Sequence, residues 1–69
     1  MEPSEVFGLI VKADEKLKYA TAENADLRRA QARELLERAL SEARAIENGA
    51  LILQAEQRLA DLGDAAGSY

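Results

Sequence analysis

The chain has 69 residues, enough for one small domain whose core contributes about 3–5 kcal/mol of net stability. It contains no Cys and no His, which excludes disulfides, the usual zinc frameworks, a Cys nucleophile and a His general base. A net charge of −4 argues against general binding to nucleic-acid phosphates, which requires a basic surface. We therefore expect no cofactor, no metal and no nucleic acid.

The composition predicts an all-α fold. Ala, Leu, Glu, Arg and Lys, the strongest helix formers, account for 42 of the 69 residues. No apolar run approaches the roughly 20 residues of a membrane-spanning helix. The N-terminal sequence, Met1 to Glu5, is acidic and does not resemble a secretory signal. We expect a cytoplasmic protein that does not bind membranes.

A first helix is predicted over residues 4–22. Pro3 suits the start of a helix, and Ser4 is a plausible N-cap. Apolar residues then recur at spacings of 4, 3, 4 and 3, which is one face of a helix. This first stripe consists of Val6, Ile10, Ala13, Leu17 and Ala20.

A second helix is predicted over residues 25–47. Its stripe has the same spacings but is rotated by about 120° from the first, so one straight helix would have two diverging apolar faces. A turn between Thr21 and Asp26 removes this conflict, and Asn24 and Asp26 are both good N-caps there. The second stripe consists of Ala32, Leu36, Ala39, Ala43 and Ile46.

A third helix is predicted over residues 50–62. Gly49 follows Asn48 and is expected to take the left-handed conformation that ends the second helix. Gly63 is expected to end the third helix in the same way. The third stripe consists of Ile52, Ala55, Leu59 and Leu62. The predicted organisation is one domain of three antiparallel helices over residues 1–62, followed by a flexible tail over residues 63–69.

The many carboxylates predict a charged, solvated helix face rather than a metal site. Glu34 and Glu42 each lie four residues from Arg38, and Asp14 lies four residues before Lys18, which favours ion pairs within each helix. None of the serines has an obvious partner that could act as its base. We therefore expect no enzymatic activity.

Three arginines are clustered near the start of the second helix, at Arg28, Arg29 and Arg33. Arginine is disfavoured at the positive end of a helix dipole, which makes the cluster unusual. One interpretation is an anchor for an acidic group of a partner. The alternative is ordinary surface arginine.

Apolar residues surround the beginning of the first helix rather than following one stripe. Phe7 and Leu9 lie about 200° apart around the helix axis. The side that carries Phe7 and Val11 is therefore expected to remain exposed and to bind a second copy or another protein. The alternative is that the first helix lies between the other two and that both of its sides are covered.

The stretch Ala32-Arg33-Glu34-Leu35-Leu36-Glu37-Arg38-Ala39-Leu40, together with Ala20, resembles a tetratricopeptide unit. In that family a small residue on the first helix is followed 12 residues later by Ala, and 7 later by another small residue, as at Ala20, Ala32 and Ala39. The run from Ala32 to Gly63 is similar to repeats of large bacterial regulators. Residues 53–59 resemble the last helix of the related microtubule-interacting-and-trafficking domain. The resemblance implies a helical hairpin with a capping third helix.

The leading functional hypothesis is a small, non-catalytic protein-interaction module that binds a segment of an unidentified protein in a groove between helices. One and a half such repeat units bury too little surface to be stable alone. We therefore expect the chain to self-associate as a homodimer. A structural subunit that forms an intermolecular helical bundle is the alternative, since the same spacings serve a coiled coil. An enzyme subunit is the minor alternative.

Overall fold

The computed structural model describes the backbone of residues 1–67 and the side chains of residues 1–62. Three helices follow one another in this part of the chain, α1 (Pro3–Lys18), α2 (Ala25–Ala45) and α3 (Gly49–Gly67). Residues 1–67 contain no β-strand. The predicted all-α, three-helix fold is confirmed, and the packing of the helices is compatible with the predicted antiparallel order.

Helix α1 begins one residue earlier than predicted. Glu2 is the N-cap, and Pro3 occupies the first helical position, where its missing N–H is not needed. The backbone N–H of Glu2 donates a hydrogen bond of 3.1 Å to Oε1 of Glu5. The expectation that Ser4 caps the helix is therefore wrong, because Ser4 already lies inside the first turn.

The first connection is longer than predicted because α1 ends at Lys18, four residues before position 22. Asn24 precedes α2 as expected, but its side chain does not cap that helix. Its Oδ1 instead accepts a hydrogen bond of 2.6 Å from the backbone N–H of Thr21. Asn24 therefore closes the turn that leads into α2.

The second connection places the left-handed residue at a different position from the predicted one. Glu47 has a φ of 54°, whereas Gly49 is the first residue of α3 and has no positive φ. The N–H of Asn48 donates to the carbonyl of Ala43 at 3.0 Å, and that of Glu47 to Arg44 at 3.1 Å. These two bonds form a Schellman motif that ends α2.

Asn48 begins α3 immediately after this motif. Its Oδ1 accepts a hydrogen bond of 3.1 Å from the backbone N–H of Leu51, which is the usual action of an N-cap side chain. At the other end, α3 continues through Gly63 to Gly67, so the prediction that Gly63 ends the helix is wrong. Of the predicted flexible tail, residues 63–67 continue α3, and residues 68 and 69 lie outside the described part.

The core is formed by one stripe from each helix. Helix α2 lies between the other two: α1 and α3 both pack mainly against α2 and touch each other little. The alternative in which the first helix is central is therefore wrong. The Cα atoms extend over 36 × 23 × 13 Å. Among the side chains of residues 1–62, ten apolar ones are buried: Val6, Ile10, Ala13, Ala32, Leu36, Ala39, Ala43, Leu51, Ala55 and Leu62.

Three residues at the ends of the first and second predicted stripes are less buried than expected. Leu17 is exposed, because it lies in the last turn of α1, and Ala20 and Ile46 are half-buried in the connections. In α3, Leu51 is buried in place of Ile52, which is half-buried. The core therefore runs along the middle of the three helices and is thin at its ends.

Candidate partner-binding surface

Phe7 and Val11 are exposed apolar side chains on successive turns of α1. Their exposed fractions are 46% and 38%. Because α1 is continuous from Pro3 to Lys18, the two residues lie about 40° apart around its axis. They lie about 100° and 140° from the core residue Val6, so they form one flank of the helix. We call this surface the Phe7–Val11 face.

The far end of this face is bordered by an ion pair that joins α1 to α3. Nε of Arg58 lies 3.0 Å from Oδ1 of Asp14. Asp14 lies about 20° from Phe7 around the helix axis, so the Phe7–Val11 face is on the side of α1 that is directed towards α3. The face is therefore an apolar patch next to a charged contact between the two outer helices.

The structure divides the arginine cluster between two sides of α2. Arg28, Arg29 and Arg33 are all half-buried. Arg29 and Arg33 lie about 40° apart around the helix axis, whereas Arg28 lies about 100° from Arg29. The stripe that contains Ala32 and Leu36 lies between these two directions. The three arginines therefore lie on both sides of the buried stripe of α2.

Ion pairs join different helices rather than successive turns of one helix. Within residues 1–62, the two ion pairs are Arg58–Asp14 and Arg44–Glu56, the latter at 3.4 Å. The expected pair of Asp14 with Lys18 is absent, since Asp14 is bound to Arg58. Lys18 instead places Nζ 5.5 Å from the centroid of the adjacent Tyr19 ring.

The expected pairs of Arg38 with Glu34 and Glu42 are also not formed among the described side chains. Arg38 is exposed and lies at the rim of a surface cleft between α1 and α2. The cleft has a volume of about 370 Å³. It is lined by Met1, Glu5, Gly8, Leu9, Lys12 and Arg38.

The cleft could not be predicted from the sequence, because its residues come from two helices and share no motif. The spacing of Glu5, Leu9 and Lys12 does place them on one flank of α1. No feature of the sequence, however, shows that Arg38 of α2 lies beside that flank.

The described side chains contain no group of three acidic residues placed to hold a metal ion. No helix of the described part is long and apolar enough to cross a membrane. The most distinctive surface features are thus the Phe7–Val11 face and the cleft on the other flank of α1.

Comparison with known proteins gives no relative. No protein-family model matches the chain, and neither a curated protein nor a solved structure is significantly similar to it. Functional inference therefore depends on the fold and on the two surfaces of α1.

Proposed function

We propose that this chain is a small, non-catalytic protein-interaction module that self-associates through the Phe7–Val11 face of α1. The observation that supports the proposal is the exposure of an aromatic and a β-branched side chain, 46% and 38%, on successive turns of one helix. Apolar residues that lie together on a surface mark sites of association more often than scattered ones do. An amphipathic helix of a second copy can pack against such residues.

The proposed self-association is weak. A stable interface buries about 800 Å² on each partner, and two partly exposed side chains provide only part of that area. The dimer should therefore form and dissociate with protein concentration. The same face is then available to a helical segment of another protein, which would compete with the second copy.

We also propose a relation to tetratricopeptide units. It is supported by the order of a helical hairpin and a third helix, and by the complete burial of Ala32 and Ala39 at the positions where that family has small residues. Ala20 departs from the pattern, because it lies in the connection after α1 rather than on the first helix.

Light scattering over a concentration series tests the proposed function. The wild-type chain should increase in average molar mass with concentration. The variant Phe7→Gln/Val11→Gln should remain monomeric at all concentrations. Glutamine keeps the aliphatic stem and a high helix propensity, so the folded state is retained while the apolar surface is lost.

Leu53→Gln is the matched control, since Leu53 is an exposed apolar residue of α3 with an exposed fraction of 55%. It should associate as the wild type does. A wild-type chain that stays monomeric up to millimolar concentration would overturn the proposal. So would a Leu53→Gln variant that abolishes association while Phe7→Gln/Val11→Gln does not.

A further inference from the structure

The cleft between α1 and α2 combines an apolar wall with two free cations. Leu9 is half-buried and forms part of the wall, next to Gly8. Lys12 and Arg38 reach the cleft from different helices, and both are exposed. Within the described residues neither of them forms an ion pair.

The one carboxylate of the cleft is already bound. Oε1 of Glu5 accepts the backbone N–H of Glu2 at 3.1 Å, and the carboxylate lies at the positive end of the α1 dipole. Glu5 is therefore engaged by its own helix terminus. The side chains that line the cleft thus carry two positive charges and one negative charge, in a chain whose net charge is −4.

Gly8 widens the cleft without being required by the fold. It lies in the middle of α1, where glycine is unfavourable. A Cβ atom built on Gly8 would meet nothing within 4 Å, so no neighbouring group of the chain excludes a side chain there. A larger residue at this position would instead occupy the cleft.

We infer that this cleft binds an acidic segment of a partner protein, in which an apolar side chain lies against Leu9 and Gly8 and flanking carboxylates contact Lys12 and Arg38. The charge of the cleft favours this partner: within residues 1–62 neither cation forms an ion pair, and the cleft volume of about 370 Å³ has room for a Leu-sized side chain. The inference goes beyond the proposed function. The cleft and the Phe7–Val11 face lie on different sides of α1: Leu9 and Lys12 are about 160° and 140° from Phe7 around the axis, and Gly8 lies between the two surfaces.

A nuclear magnetic resonance titration of the full chain tests this site. The probe is a short synthetic peptide in which one leucine is flanked on both sides by glutamates. We expect saturable shifts of the backbone amide signals of Gly8, Leu9, Lys12 and Arg38. The affinity should fall as NaCl is added, because salt screens exposed charges.

Two variants locate the binding. Lys12→Glu/Arg38→Glu should lower the affinity for the peptide by tenfold or more. Such a loss is expected when two surface ion pairs are removed and their attraction becomes repulsion. Gly8→Leu should fill the cleft and abolish binding while the chain unfolds at a higher denaturant concentration. Lys18→Glu reverses one charge on another side of α1, half of the charge change of the cleft variant, and should leave the affinity within about twofold.

The inference would be overturned if Lys18→Glu lowered the peptide affinity as much as Lys12→Glu/Arg38→Glu does. It would also be overturned if Gly8→Leu bound the peptide with undiminished affinity. A third contradicting result would be equal affinity for a peptide in which serine replaces the leucine. Phe7→Gln/Val11→Gln should bind the peptide as the wild type does. Failure of this site is therefore distinguishable from failure of self-association.

Discussion

Arg58 binds Asp14 across 44 residues of sequence and so joins the two outer helices of the fold. Its Nε donates to both oxygens of the carboxylate, at 3.0 and 3.2 Å, and Nη1 donates to the carbonyl of Gln54 at 3.4 Å. Since α1 and α3 touch each other little, this contact holds two helices that are otherwise connected mainly through α2. The ion pair is therefore one of the few direct contacts between α1 and α3.

A double-mutant cycle measures the contribution of this pair. Asp14→Asn, Arg58→Gln and the double variant should give a coupling free energy of about 0.2–1 kcal/mol. Both side chains are partly exposed, at 48% and 32%, and such pairs are weakened by solvent. Urea unfolding followed by circular dichroism provides the free energies.

The coupling should decrease in about 1 M NaCl, where the Debye length is only about 3 Å. The pair Arg44–Glu56 is the control, because it is longer, at 3.4 Å, and more exposed. A coupling for Arg58–Asp14 no larger than that of the control would mean that it does not hold α1 against α3.

Replacement of Glu47 by glycine is expected to stabilise the folded chain. Its φ of 54° lies in the left-handed region, which costs roughly 1 kcal/mol for a residue with a Cβ and little for glycine. Glu47→Gly should therefore raise the free energy of unfolding by about 0.5–1 kcal/mol, as measured by urea denaturation.

Gly49→Ala is the companion to this substitution. Gly49 has ordinary helical backbone angles and open space around its Cβ position. Alanine should stabilise the chain by about 0.5 kcal/mol, because it restricts the unfolded state and favours the helix. If instead Gly49→Ala destabilises the chain and Glu47→Gly does not stabilise it, the left-handed residue is Gly49, as the sequence had indicated.

Leu36→Ala should cost about 2–5 kcal/mol. Leu36 is completely buried on the central helix, and truncation of such a residue leaves a cavity. That loss approaches the entire stability expected of so small a domain. Arg38→Ala, on the exposed side of the same helix, should cost less than about 0.5 kcal/mol. Equal denaturation midpoints for the two variants would contradict the assignment of the core.

The number of helices and most of the core could be predicted from the sequence, because both depend on apolar spacing within one helix. The helix ends could not be predicted as well. Glycine was the strongest local signal for a helix end, yet α2 ends in a motif with Glu47 in the left-handed position, and α3 continues through Gly63. Two backbone hydrogen bonds and the Asn48 cap outweigh the preference for glycine there.

The surface was less predictable because it depends on contacts between helices. Exposure of Phe7 and Val11 follows from their angle to the stripe of α1 and was expected. The partner of Asp14 was not, since Arg58 is brought to it only by the packing of α3. The cleft beside Gly8 depends in the same way on Arg38 of α2, and sequence spacing contains no information on that contact.

Cross-linking through a single introduced thiol tests self-association through α1 most directly. The chain contains no cysteine, so Val11→Cys provides a unique reactive group on the Phe7–Val11 face. Leu53→Cys provides a matched exposed thiol on α3. A short bis-maleimide reagent should convert Val11→Cys to a covalent dimer much faster than Leu53→Cys. A covalent dimer that forms equally slowly from both variants, or faster from Leu53→Cys, would contradict self-association through this face.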